Sequence, residues 1–381
     1  MQKVNLNNKK LCFVTFQFKT GGVERIFTAI ANNLDCEIAL LTVTNKYDSM
    51  VENIPSSVEI IPIHKNWWLR FLWHINTYIP ILPFLLILLS EIIYLRLNKK
   101  WKHYTFVNFS DTISSLAVSC FGGGKKKRYS WLHYNPKTIN QSRFAAFYKI
   151  IYRKMDKIVC ICHEQKKIMQ EVIPGLKEEN LTVIYNIMDY DKILALKDVP
   201  IDYKKKYILM IARFDFRSKD FYTLVDAYHN LDESLKNSHQ LLLIGDGPDL
   251  DTVQDYVKMH NELDNIIFVG KEDNPYKWIS KAETLVLSSR TEGLPTVLLE
   301  ALICGTPAIS TLCETGVKEI LNNGKCGMLV PIGDADSMSR ALTRMLTDNE
   351  LRYNFITKGY IQAQQFHPNQ ILPKIKQLFE I

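Results

Sequence analysis

Residues 288–301 read Ser288-Ser-Arg-Thr-Glu-Gly-Leu-Pro-Thr-Val-Leu-Leu-Glu-Ala301, directly after the short apolar run Thr284–Leu287. The run reads as a buried strand. Pro295 suits the start of a helix, where its missing N–H is not needed. The polar loop between them carries Glu292 and Gly293, and Glu300 falls within the helix, about two turns further along. Two carboxylates near a helix entrance can grip sugar and ribose hydroxyls, while backbone N–H groups and the helix dipole accept phosphate. The same spacing also fits a capped helix with a salt-bridged glutamate.

Working outward, the second half of the chain repeats this alternation. Strand candidates are 207–211, 240–244, 266–269, 284–287, 307–310 and 327–330, with helical patterns between them and turn residues at each change. The first half is less regular, with candidates at 11–17, 37–43, 58–63, 105–109, 128–133 and 157–161. Alternating strand and helix predicts parallel sheets with crossover helices. The expected fold class is therefore α/β, with two Rossmann-like doubly wound domains facing a cleft. The N-terminal domain is expected over 1–188, a polar linker over 189–206, and the C-terminal domain over 207–364. A last helix, 365–381, is expected to pack back on the N-terminal domain. Ligands of such sheets bind at the carboxyl ends of the strands.

The chain has 381 residues, 47% hydrophobic and 23% charged, which suits two globular domains. The net charge of +7 is unevenly spread. Residues 1–200 hold 27 Lys and Arg against 16 Asp and Glu, and residues 201–381 hold 20 against 24. A basic first half points to an anionic partner there, a phospholipid surface or a lipid diphosphate. No basic module with interleaved aromatics argues for nucleic acid. The eight cysteines include no Cys-x-x-Cys pair, and no secretory leader is read before the first strand. They are expected to be reduced core thiols of a cytoplasmic protein.

The motifs resemble, in order, those of family 4 retaining glycosyltransferases, which have the GT-B fold. Glu292 and Glu300 form Glu-x7-Glu, with Gly-x-Pro after the first and Ala after the second. Ile211-Ala-Arg-Phe-Asp-Phe-Arg-Ser-Lys-Asp220 looks like the family's strand, loop and helix with a basic pair. Leu243-Ile-Gly-Asp-Gly-Pro248 looks like its glycine turn, Gly316-Val-Lys-Glu319 like its Gly-x-x-Glu helix start, and Gly21-Gly22 like its first glycine loop. The resemblance covers 10–380. It implies that Arg213 and Lys219 neutralise a donor diphosphate, whose charge grows as it leaves. It places Glu300 on the nucleotide ribose and Glu292 on donor-sugar hydroxyls. Gly293, Leu294 and Pro295 would offer backbone to the sugar or phosphate, with Gly316, Val317 and Glu319 beside the diphosphate. Gly245 reads as a tight turn, and Gly270 ends a strand that offers backbone to the base. The family often has two glycines before the Gly-x-x-Glu helix; here Thr315 stands in the first place and is expected to contact phosphate or sugar through its hydroxyl.

His133, at the end of a strand, is the leading catalytic candidate by this resemblance. Asp111 is an acceptor-side candidate, and Asn186 fits the family's interdomain segment. No isolated carboxylate nucleophile is found, which matches a same-face mechanism of positioning and electrostatics. Asp-x-Asp pairs at 189/191, 249/251 and 334/336 precede helices and read as caps, so neither metal nor cofactor is expected. The donor expected by family frequency is a UDP-sugar, and the acceptor a cell-surface polysaccharide or lipid-linked oligosaccharide. The apolar run 79–89 contains Pro80 and Pro83 and is too short to span a bilayer, which takes roughly 20 residues. Trp67, Trp68, Trp73 and Trp101, with Arg70, Lys99, Lys100 and Lys102, flank it. Together with Lys125–Arg128 they predict peripheral contact with an anionic membrane at its inner face. A nucleotide-sugar epimerase, a phosphorylase or a non-catalytic donor-binding protein stays open as an alternative.

Overall fold

The computed structural model describes residues 9–16, 18, 22–42, 54–62, 82–122 and 127–381, with backbone alone at 82–87, 90 and 91. Gly21, Trp67, Trp68, Arg70, Trp73, Pro80, Lys125 and Lys126 lie outside the described residues. The chain forms two compact units. One comprises residues 1–187 with 371–381, and the other residues 188–370.

The first unit is built on a seven-stranded parallel sheet among the described residues, in the order β3-β2-β1-β4-β5-β6-β7. Its strands are β1 (Lys10–Thr15), β2 (Glu37–Thr42), β3 (Glu59–Pro62), β4 (Tyr104–Asn108), β5 (Tyr129–Trp131), β6 (Lys157–Cys160) and β7 (Leu181–Val183). β7 has no counterpart among the sequence expectations: three residues, two of them half-buried, leave no apolar run to read. Phe13 on β1 meets Phe27 and Phe109 edge to face, each at 5.3 Å between ring centres. The end of the chain completes this core. Ile371, Ile375 and Phe379 recur at helical spacing in Pro368–Phe379 and are buried. Phe379 packs on Phe13 and Tyr129, whose hydroxyl donates to the Leu378 carbonyl at 3.2 Å.

The second unit carries six described strands in the order β10-β9-β8-β11-β12-β13, all parallel. These are β8 (Lys206–Ile211), β9 (His239–Ile244), β10 (Ile266–Gly270), β11 (Thr284–Leu287), β12 (Ala308–Thr311) and β13 (Met328–Val330). In both sheets the order reverses once, at β1/β4 and at β8/β11. That reversal opens a crevice at the carboxyl ends of the two central strands, because their crossover helices leave to opposite faces.

The polar stretch expected as a linker, 189–206, belongs to the second unit instead. Its composition hid a capped helix. Asp189 accepts from the Lys192 N–H at 3.3 Å, and the helix Tyr190–Leu196 buries Tyr190 and Ile193. Asp334 likewise caps the helix Ala335–Thr347 through the Ser337 N–H. Asp249 does not cap its own helix. Its carboxylate reaches back to the Phe216 N–H at 2.7 Å and pins the loop after β8.

That loop explains the Gly245-Asp-Gly247 turn. Phe214 N–H donates to the Asp246 carbonyl at 3.0 Å, and Asp249 N–H to the Phe214 carbonyl at 3.1 Å. The two backbones approach so closely that a Cβ on Gly245 would lie 1.9 Å from the Ala212 oxygen, and one on Gly247 2.2 Å from the Phe214 oxygen. Gly245 also sits at φ +143°, where L side chains are rare. Gly247→Ala is expected to cost roughly 2–3 kcal/mol of stability by overpacking. Urea unfolding checks this, and a loss below about 0.5 kcal/mol would mean that the loop yields freely.

Candidate functional site

The carboxyl ends of β8 and β11 lie side by side at the second sheet's reversal point, and the loops that follow them are stitched together. Asp220 N–H donates to the Ser288 carbonyl at 3.0 Å, and the Ser288 hydroxyl donates to the Asp220 carbonyl at 2.7 Å. Arg290 N–H donates to the Ser218 carbonyl at 2.8 Å, and Lys219 and Ser289 form an antiparallel bridge. This zipper brings Lys219 against Glu292 across 73 residues of sequence. The ammonium pairs with Glu292 Oε1, which also accepts from the Ser289 hydroxyl at 2.7 Å. Both side chains are largely shielded, with 15 and 13% of their surface exposed. At that burial an ion pair is screened far less than on the surface.

Arg213 leaves the same loop with 69% of its side chain exposed, and its Nε stands 3.9 Å from Asp215 Oδ2. Asp215 is held chiefly by Arg217, which reaches it in bidentate fashion at 2.8 and 2.5 Å and keeps its carboxyl down at about 2. Arg213 thus extends from an anchored base: neighbouring Phe214 is buried and stacked 4.4 Å from Phe221. Glu300 is buried in the helix Thr296–Cys304. Pro295 stands at that helix's N-cap, and Leu294 is buried beneath it.

The loop after β12 closes on the same region. Gly316 adopts φ +77°, and a Cβ there would meet Leu294 Cδ1 at 2.6 Å and the Gly293 oxygen at 3.1 Å. Val317 is fully buried as the first residue of the short helix Val317–Ile320, and the Glu319 carbonyl accepts from Gln362. Thr315 departs from expectation. Its residue is fully buried at φ +71°, and its hydroxyl donates to the Glu292 carbonyl and lies 2.7 Å from the Glu314 carbonyl. The hydroxyl is spent on holding the Glu292 loop rather than offered to a ligand. Gly245 and Gly270 end adjacent strands, joined by a 2.9 Å bond from Gly245 N–H to the Gly270 carbonyl.

In the first unit, Asp111 and His133 lie after β4 and β5, and Gly22 opens the helix Gly22–Ala31 after β1. Asp111 Oδ2 accepts from the backbone N–H groups of His133 and Tyr134 at 2.9 and 3.1 Å. Desolvation nevertheless pushes the Asp111 carboxyl up to about 7. The residue lines a cavity of about 220 Å³ with Tyr134, Asn135, Thr138 and Tyr148. His133 is 6% exposed and stands edge to face with Phe109 at 4.5 Å. Among the described residues neither ring nitrogen has a hydrogen-bond partner, and burial pushes the imidazole down to about 3. It is therefore neutral at pH 7. Asn186 is also buried, with its Oδ1 unpartnered among the described residues. Buried polar atoms left this way are uncommon.

Among the described residues, no helix is long and apolar enough to cross a membrane. All eight cysteines are free thiols.

Two doubly wound parallel sheets, each with its functional loops on the carboxyl edge of a reversal point, define the GT-B class. The solved structure of the Anabaena protein HepE in complex with UDP and glucose matches over 98% of this chain and 99% of its own, with a TM-score of 0.76 at 15% identity. Residues 191–362 match the profile of the glycosyl transferases group 1, and the second unit belongs to that family. Two curated relatives are similar over part of the chain. One is the N-acetylgalactosamine-N,N'-diacetylbacillosaminyl-diphospho-undecaprenol 4-alpha-N-acetylgalactosaminyltransferase of Campylobacter jejuni, 28% identical over 57% of this chain. The other is the lipopolysaccharide core biosynthesis glycosyltransferase LpsE of Rhizobium meliloti, 29% identical over 55%. The chain spans 58 and 59% of the length of these relatives.

Two outcomes are expected from this geometry. Lys219→Ala leaves a shielded carboxylate without its cation, so it should cost about 3 kcal/mol or more. The double variant Lys219→Ala/Glu292→Ala should recover part of that loss, which a thermodynamic cycle measured by urea unfolding will detect. His133 has a folded pKa below its unfolded value of 6.5. Its contribution to stability is therefore whole above pH 6.5 and falls by about 1.4 kcal/mol per pH unit as acid charges the unfolded state. Asp111 acts in the opposite sense, since its raised pKa favours the folded state as pH falls below about 7. His133→Phe should remove the histidine's slope between pH 6.5 and 4.5. An unchanged slope would show that the ring is not desolvated in solution.

Proposed function

We propose that the chain is a retaining, metal-independent glycosyltransferase that moves a sugar from a UDP-sugar onto a glycan or lipid-linked oligosaccharide. The observation that carries this reading is the convergence of Lys219, Glu292 and the Gly316 loop at the β8/β11 reversal point, inside the segment that matches the glycosyl transferases group 1. In this reading Arg213 and Lys219 hold the diphosphate oxygens and stabilise the charge that develops as the glycosidic bond breaks. Glu292 takes hydroxyls of the donor sugar and keeps Lys219 aimed. Glu300 takes the ribose. Gly293, Leu294 and Pro295 present backbone to the sugar, Gly316, Val317 and Glu319 lie by the diphosphate, and Gly245 and Gly270 lie by the nucleoside.

His133 and Asp111 are assigned to the acceptor's domain. A neutral His133 can exchange hydrogen bonds with sugar hydroxyls but cannot serve as a cation at pH 7. Asp111, with a pKa of about 7, is poised to accept a hydrogen bond or a proton. With no nucleophile assigned, the departing phosphate itself takes the proton of the attacking hydroxyl on the same face. The basic first half favours an acceptor at an anionic surface, and the two curated relatives are named for an undecaprenol-linked glycan and for lipopolysaccharide core. The proposed place of action is the inner face of the cell membrane.

A panel of UDP- and GDP-sugars offered to the purified chain tests this reading. Release of UDP is expected without added metal and in the presence of EDTA, with transfer products that keep the donor's anomeric configuration by NMR. Lys219→Ala and Glu292→Ala should each lower turnover on the order of a hundredfold. Failure to bind any nucleotide sugar, or unaltered turnover in both variants, would refute it.

A further inference from the structure

We propose that the helix layer of the first unit holds a seat for one anionic phospholipid, its chain in an apolar groove and its phosphate in an adjoining cationic pocket. The inference rests on the reading of the protein as membrane-peripheral and gives that contact a definite location.

The groove lies between the helices Leu82–Leu97, Ile113–Phe121 and Ala145–Tyr152. It has a volume of about 400 Å³ and is lined by Leu88, Leu89, Ile92, Ala117, Phe121 and Phe147, with Arg96 at its end. A space of this size is within the roughly 300–1,000 Å³ of ordinary small-molecule sites. Among the described side chains of the helix Leu82–Leu97, Leu88 and Leu95 are buried but a row of others is not. Leu89, Ile93 and Leu97, spaced at four residues, are 52, 47 and 77% exposed. A row of large aliphatic side chains turned to solvent beside an apolar groove marks an interaction surface.

The second space is of the opposite character. It measures about 400 Å³ and is lined by Arg128, Arg153, Lys154, Asp156 and Lys177, four cations against one carboxylate. Arg128 satisfies Asp156, at 3.0 Å from Nε to Oδ2, and Lys177 lies 3.5 Å from Glu179, so the excess positive charge rests on Arg153 and Lys154. Arg153 donates to the Pro174 carbonyl at 2.8 Å, which fixes its position and leaves its charge uncancelled. Lys154 makes no ion pair among the described residues. It stands 5.3 Å over the ring of Phe121, which itself lines the groove. Phe121 thus joins the two spaces, with an apolar face toward one and a cation at the mouth of the other.

The cationic space lies toward the amino-terminal ends of β5, β6 and β7, since Arg128, Asp156 and Asn180 directly precede those strands. The candidate residues Asp111 and His133 sit at the opposite, carboxyl edge. The cations therefore do not belong to the acceptor site of the same domain. The juxtaposition of an aliphatic groove with a net positive pocket matches an amphiphile of apolar tail and anionic head. A free phosphate would leave the groove without an occupant, and a neutral lipid would leave the pocket without one.

Co-sedimentation of the full chain with vesicles tests the assignment. Binding is expected to vesicles of phosphatidylcholine with 30 mol% phosphatidylglycerol and not to phosphatidylcholine alone. Lys154→Glu should weaken binding roughly tenfold or more. Leu89→Asp should also weaken it, while Lys204→Glu, an equal charge reversal on the second unit, should not. Thermal melting confirms that each variant is folded. Wild-type binding by both Lys154→Glu and Leu89→Asp would overturn the proposal. So would a concentration-dependent dimer abolished by Leu89→Asp without vesicle binding, which would assign the face to a second copy. UDP binding measured in solution separates this result from the proposed activity. Donor binding without vesicle binding sinks the lipid seat alone, and vesicle binding without donor binding sinks the glycosyltransferase reading alone.

Discussion

The ion pair between Lys219 and Glu292 is the contact that ties together the loops after β8 and β11 at the carboxyl edge of the second unit's sheet. Neither residue reaches the other by local structure. Lys219 ends a loop after β8, and Glu292 sits in a loop after β11. Three backbone and hydroxyl bonds between 218–220 and 288–290 hold the two loops as one piece. A cation and a carboxylate brought together and shielded in this way cannot both go unpaired without a large penalty. The pair therefore sets the position of each side chain, which is the preorganisation that the proposed stabilisation of a leaving group requires.

The surrounding constraints are steric. Arg213 can extend from its loop because Gly245 and Gly247 let two backbones touch where any Cβ would collide. The Glu292 loop is closed from the other side by Gly316 against Leu294 and by the Thr315 hydroxyl on the Glu292 carbonyl. The shape of these loops is thus built mostly from backbone, and side chains supply charge at only a few points. In the first unit the pattern differs. His133, Asn186 and the desolvated Asp111 carboxyl are polar groups that folding leaves unsatisfied or strained in their ionisation.

Most of the fold was legible in the sequence, because buried parallel strands are short apolar runs and the carboxyl-edge loops carry glycine, proline and charge. β7 was not, since Leu181–Val183 is too brief and too exposed to stand out. The stretch 189–206 misled through its composition: a polar surface conceals the buried Tyr190 and Ile193. In the site, position was legible: Arg213, Lys219 and Glu292 each stand in a loop after a strand, where the sequence placed them. Thr315 was misjudged because nothing in sequence reveals that its hydroxyl already has a backbone carbonyl to serve. The zipper through Ser288 and Ser289 escaped for the same reason, as serines after a strand give no sign of which loop they will meet.

A crystal structure of this chain with UDP tests the proposed donor site. Diphosphate oxygens are expected within hydrogen-bond distance of Lys219 Nζ and the Arg213 guanidinium, and ribose hydroxyls on the Glu300 carboxylate. UDP bound elsewhere on the protein, with Lys219 and Glu292 untouched, would contradict it.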